Sequence, residues 1–236
     1  MVTEQALFPN TFGMELIYSF VIIFCSLIIY FSTKEIYKLS NYPGIKYFRE
    51  AFLFFALAYF FKSFISFLFL IFNVRGIIEF SSIFFGVLTL FFFIYASTMA
   101  IFYLLYSIVW KNLKENLRES KFTIPLIHIF VLVISATSII VHETGVVILL
   151  QVFVFLFIAI QNYSSYRKLK SKKKSSSIHL IYLFLFVFWM LNLSDLLIVG
   201  FGPIIELVVS LASIGIFLVI LYKVTRYAGI NEYGKA

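Results

Sequence analysis

A single cysteine, Cys25, is all the thiol this chain carries. No intramolecular disulfide can form from it, and no thiolate metal site can be assembled around it. Charge is also scarce: 13% of the residues are Asp, Glu, Lys or Arg, against about a quarter in a typical soluble domain. Asp195 is the sole aspartate, which excludes the aspartate pair of an intramembrane aspartyl protease. The four prolines, Pro9, Pro43, Pro125 and Pro203, all fall at or near the ends of apolar stretches. Prolines inside helices, as in G-protein-coupled receptors or sugar transporters of three-plus-one-plus-three plan, are therefore missing. The last apolar stretch holds no internal lysine, Lys223 being at its end, so a retinal Schiff base of the microbial type has no place to form. Gly-rich phosphate loops, HExxH and serine-nucleophile motifs are missing as well. The expectation is a protein that is not an enzyme and uses no cofactor. For a metal, His142 with nearby acids offers no ligand spacing.

What the chain has in abundance is apolar length. Hydrophobic residues make up 62%, including 32 Phe and 15 Tyr, in runs such as AFLFFALAYFFKSFISFLFLIF. One compact core in water could not bury so many runs of that length. A helix crossing a hydrocarbon layer of about 30 Å needs about 20 mostly apolar residues. Seven stretches meet that need, at approximately 13–31, 50–72, 77–110, 122–141, 145–166, 177–200 and 203–222. The fold expected is a single all-α integral membrane domain, a seven-transmembrane helix bundle. The third stretch is long enough to require strong tilt or an extension out of the bilayer. No basic residue precedes the first stretch, so it reads as a retained helix rather than a cleaved signal peptide.

The positive charges set the expected orientation. Lys34, Lys38, Lys46 and Arg49 follow stretch one, Lys111, Lys114, Arg118 and Lys121 follow stretch three, and Arg167, Lys168, Lys170, Lys172, Lys173 and Lys174 follow stretch five. Lys223, Arg226 and Lys235 follow the last. Of the 19 basic residues this leaves only Arg75 on the opposite side and Lys62 within a span. Such a bias over short loops places them in the cytoplasm, with the amino terminus outside. The net charge of +8 is thus a topology signal and not a nucleic-acid footprint. The basic loops are suited to anionic lipid and to a protein partner, and the expected location is the plasma membrane. A weak internal repeat accompanies this: Gly76-Ile77-Ile78-Glu79 matches Pro203-Ile204-Ile205-Glu206, and Tyr59-Phe60-Phe61-Lys62 matches Trp189-Met190-Leu191-Asn192. It is consistent with a 3+1+3 parallel arrangement, although apolar segments drawn from so narrow an alphabet also align by chance.

Ionisable residues at membrane depth cost about 2.5 to 3.5 kcal/mol at a helix centre, so they mark candidate sites. Lys62 in the second stretch and Asp195 in the sixth are expected to reach a common level and pair. Asn192 lies three residues before Asp195, on the same helix face. Glu15, Glu79 and Glu206 sit near the outer boundary, either as the rim of an outward-facing vestibule or as ordinary interfacial residues, the second being the more common case. His128 and His179 fall near cytoplasmic helix ends, where a histidine is ordinarily interfacial.

The segment STKEIYKLSNYPGIKYFREAFLFFALAYFFKSF, above all its basic GIKYFREAF, resembles archaeal and other prokaryotic seven-helix proteins, related in look to the membrane modules of some sensor kinases. The resemblance carries no site residue, and sensor kinases continue into a catalytic domain where this chain stops. It implies a membrane-embedded sensor or signalling module acting through a partner. The alternatives are a small-solute or ion transporter or channel, and a structural subunit of a membrane complex.

Overall fold

In the computed structural model the described residues are 12–75, 79–110, 122–141, 145–169, 176–197 and 203–233. They form seven helices: α1 (Phe12–Ser40), α2 (Pro43–Arg75), α3 (Glu79–Val109), α4 (Thr123–Val141), α5 (Gly145–Leu169), α6 (Ser176–Leu197) and α7 (Pro203–Tyr233). Helix is the form expected of such sequences in lipid, because backbone N–H and C=O groups must be satisfied within the segment itself. Among the described residues, five stretches are long and apolar enough to cross a membrane: Gly13–Ser40, Phe84–Val109, Thr123–Val141, Gly145–Ser164 and Leu207–Arg226. Helix α6 supplies a shorter apolar stretch, Leu180–Asn192. Large apolar side chains face outward around the bundle, among them Phe20, Phe24, Leu126, Ile140, Phe153 and Val208. A soluble protein rarely exposes apolar surface on that scale. The chain is a helical membrane protein.

Several helices outrun their apolar stretches. Helix α1 continues nine residues beyond 31 and α2 begins seven before 50. The turn between them explains both. Asn41 adopts φ 47°, the left-handed position that ends a helix, and its N–H bonds the Tyr37 carbonyl at 2.8 Å. Pro43 then opens α2, where its missing N–H costs nothing. Gly44 is buried beneath this turn, and a side-chain carbon there would press on the Tyr42 ring and the Ser107 carbonyl of α3. The 31 residues of α3 span roughly 46 Å, more than a bilayer core requires.

The helices pack in a closed order, α1–α2–α3–α5–α6–α7 and back to α1, with α4 outside that ring against α3 and α5. Helices α1 and α2 run antiparallel, since Tyr18 meets Tyr59 and Tyr30 meets Arg49. Helices α2 and α6 run parallel across the centre: Phe48 meets Tyr182, Phe55 meets Phe188, and Tyr59 meets Asn192. Phe52 and Phe188 each pack on Phe217 of α7, at ring separations of 6.0 and 4.8 Å. All three are fully buried, so aromatic rings fill the middle of the bundle. With lipid as solvent, such fitting supplies the association energy that hydrophobic exclusion supplies in water. Small buried residues recur at intervals of seven on α1 (Ser19, Ser26) and α2 (Ala51, Ala58), as close helix approach requires.

Candidate functional site

Polar side chains from α1, α2 and α6 converge at the end of the bundle remote from the α1–α2 turn. The Tyr18 and Tyr59 phenols each donate to Oδ1 of Asn192, both at 2.7 Å. Their own oxygens lie 3.1 Å apart. The Asn192 Nδ2 donates to the Phe188 carbonyl at 2.8 Å, which fixes the amide: flipping it would set two acceptors against each other. Two phenol protons cannot serve three oxygen pairs. With both committed to Asn192, each phenol oxygen meets any further partner as an acceptor. Tyr18 and Tyr59 are 4% and 8% exposed, so this triad is a buried floor.

One helical turn beyond the floor lie the charges. Glu15 precedes Tyr18 by three residues, and Lys62 follows Tyr59 by three, so the antiparallel helices bring both to one level. The Lys62 ammonium stands 3.6 Å from Glu15 Oε1 and 5.8 Å from the centre of the Tyr18 ring, within cation–π range. Their side chains are 29% and 35% exposed. The structure thus joins Lys62 to Glu15, which the sequence reading placed on a separate rim. Asp195 follows Asn192 by three residues on α6, which runs parallel to α2. Its backbone therefore lies one turn on in the same direction, while its side chain is outside the described residues. The side chains of Glu79, the first residue of α3, of Glu206, on the first turn of α7, and of His179 also lie outside the described residues, as do His142 and Glu143 altogether.

Sequence reasoning passed over Tyr18 and Tyr59, two tyrosines among fifteen. The available signal was their three-residue spacing from Glu15 and Lys62. It also read His128 as an ordinary interfacial residue near a helix end, and did not foresee the two partners the structure gives it there. His128 Nδ1 lies 2.6 Å from the Tyr95 phenol and Nε2 lies 3.0 Å from the Tyr103 phenol. Tyr95 and Tyr103 are two turns apart on α3, and the imidazole bridges them beside Phe54 of α2. This clamp fastens the outlying α4 to the ring. Two more polar contacts tie helices together: Gln151 Nε2 of α5 donates to Thr98 Oγ1 of α3 at 3.0 Å, and Ser107 of α3 meets the buried Tyr182 phenol of α6 at 2.6 Å.

Among known proteins, the chain is 32% identical over 225 residues to an uncharacterized protein of Archaeoglobus fulgidus, covering 90% of this chain and 91% of that one. It belongs to the same family. No protein-family model matches the chain, and no solved structure matches it. These comparisons lend the likeness to sensor-kinase membrane modules no support.

Proposed function

We propose that this protein is a sensor or signalling module embedded in the plasma membrane and acting through a partner protein. In this reading all seven helices span the bilayer, the polar cluster opens outward, and the α1–α2 turn lies in the cytoplasm. The observation that carries it is the placement of that cluster above a filled aromatic centre, with α6 connecting the two ends. Asn192 anchors α6 to α1 and α2 in the cluster. Ten residues earlier, roughly 15 Å along the helix, Tyr182 anchors it to Ser107 near the turn. A change at the cluster that displaces Asn192 would move Tyr182, because a helix transmits displacement along its axis. The basic loops then offer the partner and anionic lipid a cytoplasmic face. No catalytic step or cofactor enters the scheme.

Transport of a small solute or ion is the second reading. It is favoured by the ring order, in which α1–α3 and α5–α7 occupy equivalent places around α2 and α6, as a duplicated unit would. Rings of Phe52, Phe188 and Phe217 on the axis weigh against it. Two measurements on the full chain separate the readings. A photo-crosslinking residue at Lys46 should capture one soluble protein reproducibly in cells, and proteoliposomes containing the protein should show no saturable solute uptake or ion flux. Saturable flux without a crosslinked partner would replace the sensor with a transporter.

A further inference from the structure

We infer that the tip of the α1–α2 hairpin is a docking surface for a soluble protein whose facing side is acidic, with an apolar recess for Leu39. This rests on the reading of the chain as a module acting through a partner, and adds where that partner sits and what its surface is made of.

Height decides between lipid and protein. The apolar stretch of α1 ends near residue 31 while the helix runs on to Ser40, which sets Leu39 roughly 12 Å beyond that end. A headgroup layer is about 5 to 8 Å deep. The tip therefore stands past the headgroups, in water. Leu39 and Tyr42 are nevertheless 51% and 37% exposed there. Exposed apolar side chains on the wall of the bundle have hydrocarbon as their solvent; these two do not. Lys34, Lys38 and Lys46 are exposed around them. Lys38 pairs with Glu35 at 3.0 Å, both side chains more than half exposed, and a pair so exposed is weak enough to exchange for another acid.

Charge selects the occupant. Between residues 32 and 50, Lys34, Lys38, Lys46 and Arg49 outnumber Glu35 and Glu50. The connections 111–121 and 167–174, assigned to the same side, carry a basic excess as well. Neither they nor the tip of a second copy complements this surface, whereas an acidic face does. The tip is also preformed. The Ile45 N–H bonds the Tyr42 carbonyl at 3.0 Å, and the Tyr42 N–H bonds Ser40 Oγ at 3.3 Å, so little ordering remains to oppose binding. Gly44 behind it abuts the Ser107 carbonyl, and Ser107 Oγ meets the Tyr182 phenol of α6 at 2.6 Å. A shift of α6 thus reaches the docking surface by direct contact.

The test places a photo-crosslinking residue at Leu39 of the full chain in cells, with another at Arg226 of α7, and maps the crosslinked peptides by mass spectrometry. The Leu39 position should join a soluble protein at a segment richer in Asp and Glu than in Lys and Arg. Lys34→Glu with Lys46→Glu should lower that crosslink about tenfold or more, and reversing the mapped acids on the partner should restore it. A cysteine at Ser175 checks that this variant keeps its orientation. Leu39→Asp, which alters no basic residue, should weaken capture from Lys46 as well. In a Cys25→Ser background, a spin label at position 39 in phosphatidylcholine–phosphatidylglycerol vesicles should be relaxed by an aqueous nickel complex more than by oxygen. A label buried in lipid, crosslinks to lipid, to the chain's own loops or to a second copy, a mapped segment without acidic excess, or capture indifferent to both variants would overturn the inference. A partner captured from Arg226 but not from Leu39 would overturn it and leave the sensor reading standing. No capture from any position would remove both, and saturable solute flux beside an intact charge swap would sink the sensor reading alone.

Discussion

Replacing Asn192 with leucine should cost about 1 kcal/mol, and the pattern of companion changes matters more than that figure. Asn192 Oδ1 accepts two interhelical bonds at 2.7 Å. Interhelical hydrogen bonds in membrane bundles average about 0.6 kcal/mol each and reach about 1.7, so two are worth about 1.2 kcal/mol. The Tyr18 and Tyr59 oxygens are already 3.1 Å apart, so without Asn192 one phenol can turn its proton to the other and recover part of the loss. Tyr18→Phe alone removes one bond and leaves the Asn192 carbonyl its second donor, a loss of about 0.6 kcal/mol. The triple change Tyr18→Phe, Tyr59→Phe, Asn192→Leu leaves no polar group of the triad in need of a partner. It should therefore cost clearly less than its three single changes added together. Reversible unfolding in mixed detergent micelles would measure all four proteins. A triple variant as unstable as the sum of the singles, or more so, would show that the three groups act independently and refute the shared-acceptor argument.

Three further outcomes follow from the packing. Gly44→Ala should lower the unfolding midpoint, because the Ser107 carbonyl lies 3.0 Å from the new carbon and the turn must shift; an unchanged midpoint would mean the α2–α3 approach is slack. His128→Ala should speed hydrogen exchange in α4 more than in α1, since its contacts with Tyr95 and Tyr103 join α4 to α3 alongside the Phe102–Phe130 packing. Uniform acceleration would assign the clamp a global role instead. In a Cys25→Ser background, cysteines at Ser175 and Thr144 should react with impermeant reagent from opposite sides of intact cells, and reaction of both from outside would sink the seven-span topology.

The helical class was legible because hydrocarbon leaves a long apolar run few alternatives. The helix ends were not, because polar overhangs such as 32–40 in α1 carry no apolar signal. Asn41 followed by Pro43 was the local mark of that turn, and it is chemical rather than hydropathic. In the candidate site, Lys62 and Asn192 stood out as polar residues in apolar company, and Glu15 as an acid near a helix start. That Lys62 faces Glu15 is a matter of how far α1 slides along α2, a register that neither helix states alone. The tyrosines were hidden by abundance: a phenol is ordinary in an aromatic-rich chain until an amide collects two of them. The His128 contacts were hidden for a related reason, since its partners Tyr95 and Tyr103 are 33 and 25 residues away.

The two-residue turn between α1 and α2 bears on how the protein is made. The Glu15–Lys62 pair and the Tyr18–Tyr59 contact both lie within residues 12–75, two helices that leave the ribosome ahead of the other five described. These two helices can close on each other as a hairpin before the other five exist. The costliest groups of this segment would then enter the bilayer already matched, with the lysine and its carboxylate crossing as a neutral pair. Asn192, on the sixth helix, arrives late. Its amide would settle onto two tyrosines already side by side, making closure of the cluster one of the last events of assembly.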